Sequence, residues 1–429
     1  MDQAPASDMG LLWGGTSAKT KAMRNLLLAT TALAASLAAC SGGGGGGATI
    51  PPFDVPAGVT VADFDGDGRD DIALAFARVA GPPPHPGYVR FFRQSAAGVF
   101  DVPVDYSVGA DPYGLSAGDF DSDGLLDLVA ASPGAAAQPD PTDIGISILR
   151  QDPAARGRFL PVQWLTTAGA AATDAAIAHL TNDALADVAL ADGRSANGRA
   201  LLLAQNPARP GELLTPASLL AGAGRGSDDL AVGDVDADGL TDIVLAAQDV
   251  VAVFYQQPSG GFAPVVTLAA GLRVSGVALA DLDGDGRMDI VVANAGNAPA
   301  GGTGGASVTI LRQTAPGSFV AGDIAVADGA RRVAVADLNA DGIPDIAVVS
   351  IVFQAINRPS RVTVLQQSLT NRGQFSVATA LDGPSSGNFI AIGDLDGDGR
   401  NDIVINDGPS ALLQSATAPG SFRPPAPIR

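Results

Sequence analysis

The sequence predicts an all-β chain, a seven-bladed β-propeller built from four-stranded blades. Three observations predict it. An acidic nine-residue stretch recurs as DFDGDGRDD (63–71), DFDSDGLLD (119–127), DVDADGLTD (234–242), DLDGDGRMD (281–289), DLNADGIPD (337–345) and DLDGDGRND (394–402). A degenerate copy, HLTNDALAD (179–187), fills the gap between the second and third, so that successive starts lie 47 to 60 residues apart. A period that regular marks stacked copies of one supersecondary unit. The same frame of short apolar runs surrounds every copy, and a composition with 54 Gly and 30 Pro suits strands and tight turns.

The front of the chain stands apart from the repeats. Residues 1–22 match no part of a targeting signal and read as untranslated or unstructured, with Met23 the expected start. Residues 23–39, MRNLLLATTALAASLAA, carry positive charge upstream of an apolar run too short to span a bilayer, the marks of a secretory signal. The ending Leu37-Ala38-Ala39-Cys40 resembles the lipobox of bacterial lipoproteins, which implies lipidation at Cys40 and an N-terminal lipid anchor. Cys40 is the single cysteine, so no disulfide forms within the chain. Residues 40–50 then hold the lipidated Cys40 and a tether of six glycines, Gly42 to Gly47. By resemblance to the sorting pattern of Gram-negative lipoproteins, Ser41 favours the outer membrane.

From residue 51 to 429 one grammar repeats. An apolar run ending in a small residue precedes each acidic loop (VTVA, GLSAG, AAIA, DLAVG, GVALA, RVAVA, FIAIG), and a mostly apolar run follows it (DIALAF, DLVAAS, DVALAD, DIVLAA, DIVVAN, DIAVVS, DIVIND). A third run ends in Gln, as in GISILRQ (145–151). A Gly-containing turn and a Phe come next, at Phe100, Phe159, Phe262, Phe319, Phe375 and Phe422, with Leu214 in the odd repeat. A fourth extended run leads onward. Runs of this length, rich in Val, Ile and Leu and bounded by turn formers, read as strands. Four strands in each of seven units close radially and protect their sheet edges. The unit resembles the FG-GAP and VCBS repeats of integrin α heads and bacterial surface proteins. The last blade is expected to close with its own strand at 421–428, leaving residues 51–57 to brace the seam.

The acidic loops carry the chemistry. Of 45 acidic residues all but Glu212 are Asp, which selects short reach rather than charge alone. Positions 1, 3, 5 and 9 of each loop offer oxygens, position 7 can add its carbonyl, and Gly at position 6 lets the backbone turn. The expected ligands are Asp63, Asp65, Asp67, Arg69 and Asp71; Asp119, Asp121, Asp123, Leu125 and Asp127; Asp234, Asp236, Asp238, Leu240 and Asp242; Asp281, Asp283, Asp285, Arg287 and Asp289; Asp337, Asn339, Asp341, Ile343 and Asp345; and Asp394, Asp396, Asp398, Arg400 and Asp402. Arg69, Leu125, Leu240, Arg287, Ile343 and Arg400 contribute only their carbonyls. An all-oxygen set points to Ca²⁺, since zinc and copper prefer His and Cys and Mg²⁺ keeps its waters. About six structural Ca²⁺ ions are expected. Position 12 is an apolar strand residue in every loop, so position 9 closes the site and the loop is not an EF-hand. The copy at 179–187 has His179, Thr181 and Ala184 where Asp, Asp and Gly belong; it is expected to bind no metal and to keep its turn by packing alone.

A net charge of −20 disfavours nucleic acid and anionic membrane surfaces as partners. Two histidines, His85 and His179, and no nucleophile or phosphate motif argue against an enzyme, although calcium-loop propellers include polysaccharide lyases and hydrolases. The expectation is a monomeric binding, adhesion or interaction module of the cell envelope with a protein or glycan partner; a pure scaffold is the rival. The connections 79–87, 132–143, 294–306 and 350–360 lie on the face opposite the acidic loops and are where recognition is expected.

Overall fold

A computed structural model describes residues 53–428 apart from 80–85, 134–144, 168–169, 194–197, 215–217, 221–225, 249, 297–304, 327–328, 352–358, 384–386 and 407–409. Cys40, the signal, the tether and His85 lie outside the described residues, as does most of the four opposite-face connections. The architecture is the expected one. Seven four-stranded antiparallel sheets follow one another along the chain, each built from consecutive segments. The first blade is typical: Phe53–Ala62, Asp71–Val79, Pro86–Phe92 and Val104–Ala110 pair in that order. The first strands of successive blades neighbour one another in a ring, and the seventh, Ile390–Gly393, returns to the first, so first strands line the axis.

The second strands explain the apolar runs. Asp127–Ser132, Asp187–Asp192, Asp242–Ala247 and Asp289–Asn294 are buried at every residue, because a blade is covered on both faces by its neighbours. The core is therefore divided among the seams. Seven apolar clusters form, one between each pair of adjacent blades. Between blades 1 and 2, Phe64, Phe91 and Phe159 meet edge to face at centroid distances of 5.3–6.0 Å.

The ring closes without a shared strand. The short strand Ala426–Pro427 completes the last blade, as the sequence indicates. Residues 53–57 do more than brace the seam. They extend the innermost strand of blade 1, pairing Phe53 to Val79 and Pro56 to Phe76, with a bulge before Val59. A separate spacer was unnecessary because one bulged strand covers both stretches. Its carbonyls at Pro56 and Ala57 also accept hydrogen bonds from Asn406 Nδ2 of the last blade, at 3.1 and 2.8 Å.

Candidate metal centres

Alternation along the extended loop sorts its side chains. Position 2 (Phe64, Phe120, Leu180, Val235, Leu282, Leu338 and Leu395) is at most 2% exposed and pins the loop to the core. Positions 1 and 3 then turn to the loop's concave side. Gly68, Gly124, Gly239, Gly286, Gly342 and Gly399 at position 6 all take φ between 80° and 87°, so glycine is required there.

Each first-position carboxylate spans the turn. Asp63 accepts from Asp67 N at 3.0 Å and Gly68 N at 2.8 Å, and Asp119, Asp234, Asp281, Asp337 and Asp394 repeat the pair. Carboxylates then converge. Oxygens of Asp63, Asp65 and Asp71 lie within 4.8 Å of one another, as do those of Asp119, Asp121 and Asp127, of Asp234, Asp236 and Asp242, and of Asp394, Asp396 and Asp402. In the fifth-blade loop the group is Asp281, Asp283 and Asp285. The loop at 337–345 forms no three-carboxylate group among the described residues; there Asp337 Oδ1 and Asn339 Oδ1 both accept from Asp341 N, at 3.2 and 2.9 Å.

One oxygen in these groups is unusual. Asp121 Oδ1, Asp236 Oδ1, Asp283 Oδ1 and Asp396 Oδ1 are buried without a hydrogen-bond partner. A buried carboxylate oxygen so left costs free energy that a cation at the same point removes. Burial, followed by the neighbouring Asp123, Asp238 or Asp398, raises the Asp121, Asp236 and Asp396 carboxyls above the ordinary range. The residues present therefore fit a metal ion. In the first loop both Asp65 oxygens have donors, Asp67 N at 3.1 Å and Arg93 Nε, whereas in the second and fifth loops Arg150 and Arg312 stand 3.6 Å from the other oxygen, Oδ2 of Asp121 and of Asp283. Position 5 is shared with arginine: Asp67, Asp285 and Asp398 are exposed and pair with the guanidinium groups of Arg69, Arg287 and Arg400 at position 7, while Asp285 also joins the fifth-blade carboxylate group.

Position 9 has a second task that the sequence reading missed. Asp127 is 1% exposed; its Oδ2 accepts from Phe120 N at 3.0 Å and its Oδ1 from Gln151 N at 2.7 Å. Asp71, Asp242, Asp289, Asp345 and Asp402 make the same two bonds, tying the loop to the end of the third strand. The degenerate loop keeps this latch: Asp187 accepts from Leu180 N at 3.1 Å and Gln205 N at 2.8 Å. Its turn is thus held by hydrogen bonds and not by packing alone. No three-carboxylate group forms there among the described residues.

The recurrent Gln is the other missed element, although its repetition was the available signal. Gln94, Gln151, Gln205, Gln256, Gln313, Gln367 and Gln414 are at most 5% exposed. Gln151 Nε2 donates to Leu126 O in its own loop at 2.8 Å and to Phe64 O in the preceding blade's loop at 2.9 Å, while Oε1 accepts from Gly157 N at 3.0 Å. The turn holding that glycine rests on the preceding loop; a Cβ on Gly157, whose φ is 74°, would lie 3.2 Å from Asp65 Cβ. Each acidic loop therefore sits at a seam, beneath the turn of the next blade. Each Gln also faces the residue after its turn, as in Gln151 with Phe159 and Gln256 with Phe262. In the odd repeat that residue is Leu213, paired with Gln205, and not Leu214, which is 45% exposed. One residue of register decides it. Replacing Gln151 with Leu strands two carbonyls and an N–H at one seam, and urea denaturation should show a loss of about 3 kcal/mol.

Seven blades, five of whose loops gather three carboxylates among the described residues, define a repeat propeller with candidate metal loops. Residues 63–130 and 234–292 match the family model of the FG-GAP-like repeat, and residues 274–311 match that of the FG-GAP repeat. The chain is a seven-bladed propeller that carries FG-GAP repeats. No curated protein matches it in sequence. Among solved structures it is similar to a lectin of Agrocybe aegerita specific for non-reducing terminal N-acetylglucosamine, at 17% identity and TM-score 0.50, covering 87% of this chain and 94% of that one. It is similar to a functionally unknown protein of Desulfotomaculum acetoxidans at 13% identity and TM-score 0.50, covering 79% and 91%. The rhamnogalacturonan lyase YesW matches at 13% identity and TM-score 0.47, covering 84% and 72%. At these identities the likeness is one of fold.

Proposed function

We propose that the protein is a calcium-stabilised binding or interaction module of the cell envelope, anchored by lipid at Cys40 to the outer membrane of a Gram-negative bacterium. The observation that carries the calcium assignment is the buried, partnerless carboxylate oxygen repeated at Asp121, Asp236, Asp283 and Asp396. Oxygen-only donors without His or Cys suit Ca²⁺. Positions 1, 3 and 9 would hold the ion, with position 5 (Asp285) taking part in the fifth blade and Asn339 replacing a carboxylate in the sixth. The bound ion supplies positive charge that lets clustered carboxylates remain ionised at a seam. The ring then presents a rigid frame for the connections on its other face, which is where a partner would be recognised.

The test is calorimetric titration of the Cys40→Ser chain with Ca²⁺. About six ions should bind, and a count unchanged by altering loop 179–187 would assign none to it. No calcium uptake would overturn the reading. A partner is sought by capture from envelope extracts in calcium and in chelator; retention that ignores calcium would separate binding from the metal.

A further inference from the structure

The residue before each bridging Gln varies from blade to blade. In chain order these residues are Arg93, Arg150, Ala204, Tyr255, Arg312, Gln366 and Leu413. Successive side chains of an extended segment point to opposite sides. The Gln reaches back to the preceding blade, so the residue before it points to the following one, beside position 3 of its own acidic loop.

Three of the seven are arginines, and each guanidinium stands at the position-3 carboxylate. Arg93 Nε donates to Asp65 Oδ2, and Arg93 Nη2 lies 3.8 Å from Asp67 Oδ2. Arg150 Nη1 lies 3.6 Å from Asp121 Oδ2, and Arg312 Nε lies 3.6 Å from Asp283 Oδ2. The turn of the next blade closes over each of them. A Cβ on Gly157 would meet Arg93 Cδ at 3.4 Å, and one on Gly211 would meet Arg150 Nη1 at 3.2 Å. Arg312 Nη2 donates to Gly373 O at 2.8 Å, while its buried Nε has no hydrogen-bond partner.

Two other loops gather three carboxylates with no charge in this place. Blade 4 has Tyr255 there, buried and covered in the same way, since a Cβ on Gly317 would lie 3.5 Å from its hydroxyl. Blade 7 has the half-buried Leu413. In both loops the position-3 carboxylate keeps an open oxygen, Asp236 Oδ1 and Asp396 Oδ1. The arginines at position 7 do not follow this division. Arg69 and Arg400 pair with Asp67 and Asp398, which lie outside their three-carboxylate groups, and only Arg287 pairs with a member, Asp285. Blades 3 and 6, with Ala204 beside Thr181 and Gln366 beside Asn339, gather no such group among the described residues and lie outside the comparison.

We propose that the residue before the bridging Gln grades the calcium affinity of its own blade. Arg93, Arg150 and Arg312 weaken three loops, and Tyr255 and Leu413 leave loops 234–242 and 394–402 the strong ones. A guanidinium beside a carboxylate already offsets part of its charge, and it repels a second cation brought to the same group. The loop of Asp65 is the weakest, since both oxygens of that carboxylate have donors. The loops of Asp121 and Asp283 are intermediate, because one oxygen of each stays open. The same arginines brace three seams in the metal-free chain, whereas the seam between blades 4 and 5 and the closing seam between blades 7 and 1 depend on the ion. The ordering rests on the calcium reading and names the residues that regulate it.

Calorimetric titration of the Cys40→Ser chain with Ca²⁺ should resolve two strong sites, roughly tenfold tighter than the three weaker ones. Arg150→Gln should tighten one weak site roughly tenfold, and Arg93→Gln another by more. Arg93→Gln should also melt lower than wild type in chelator and recover in saturating calcium. Arg90→Gln is the control. Its guanidinium pairs with Asp105, through Nε at 2.7 Å and Nη2 at 2.8 Å, on the outer strands of blade 1, so its loss should leave the isotherm unchanged. Melting in saturating calcium establishes that each variant is folded, and Arg150→Gln, which breaks the looser contact, decides the matter if Arg93→Gln is not. A wild-type isotherm of equal sites, or an Arg150→Gln isotherm that matches wild type or is weaker, would overturn the ordering and leave calcium binding in place. No calcium uptake by wild type would overturn both, so the two failures are distinguishable.

Discussion

In 1 mM calcium the protein should melt about 10 °C higher than in chelator at neutral pH. With a dissociation constant of ~0.1 mM per site, each ion contributes ~1.4 kcal/mol and six contribute ~8 kcal/mol. Unfolding a propeller of ~375 residues gains ~0.8 kcal/mol per kelvin, which converts that sum to about 10 °C. The pH dependence should invert between the two conditions. In the metal-free protein, burial raises Asp71, Asp127, Asp242 and Asp402 to about 7, and Asp289 and Asp345 to about 6. Unfolded Asp titrates near ~3.9. Between pH 4 and 7 the folded state thus holds more protons than the unfolded one, so metal-free stability falls as pH rises through that window. Even one net unit per group is worth ~1.4 kcal/mol, or ~8 kcal/mol over the six. With calcium bound, the ion favours the ionised carboxylates and stability should hold or rise with pH. Scanning calorimetry at pH 4.5 and 7.5, with and without metal, checks both halves. A metal-free melting temperature that climbs with pH would refute the account of the buried carboxylates.

Substituting the latch aspartates separates their structural task from their metal task. Asp127→Ala and Asp187→Ala each leave two buried backbone N–H groups without an acceptor, those of Phe120 and Gln151 or of Leu180 and Gln205. At about 1–3 kcal/mol per group, each variant should lose ~2–6 kcal/mol in chelator, and by similar amounts. Calcium should then divide them. Asp127→Ala should bind one ion fewer and forgo a further ~1.4 kcal/mol, whereas Asp187→Ala should keep the wild-type ion count. Asp127→Asn, which retains one acceptor oxygen, should fall between wild type and alanine in chelator. Chelator unfolding curves in which Asp187→Ala is neutral would remove the latch from the account.

Much of this protein was determined by its sequence alone. The repeat spacing, the strand-length apolar runs and the glycines at position 6 set seven blades and six acidic loops, because these features are local and their period is short. Asp and Gly at alternate loop positions also made the candidate ligands legible, and the missing Asp at 179 and 181 marked one of the two loops that gather no three-carboxylate group among the described residues. Tertiary structure decided the rest. That Asp127 latches a third strand, that Gln151 bridges two blades, and that Leu213 rather than Leu214 faces the core are contacts between segments the chain brings together only when the ring closes. The contacts near the axis are the extreme case. Tyr113, Asp229, Arg332 and Phe389 belong to four different blades, and no spacing in the chain relates them; it takes the shared axis to set the Phe389 ring against Tyr113 and under Arg332, and Arg332 beside Asp229.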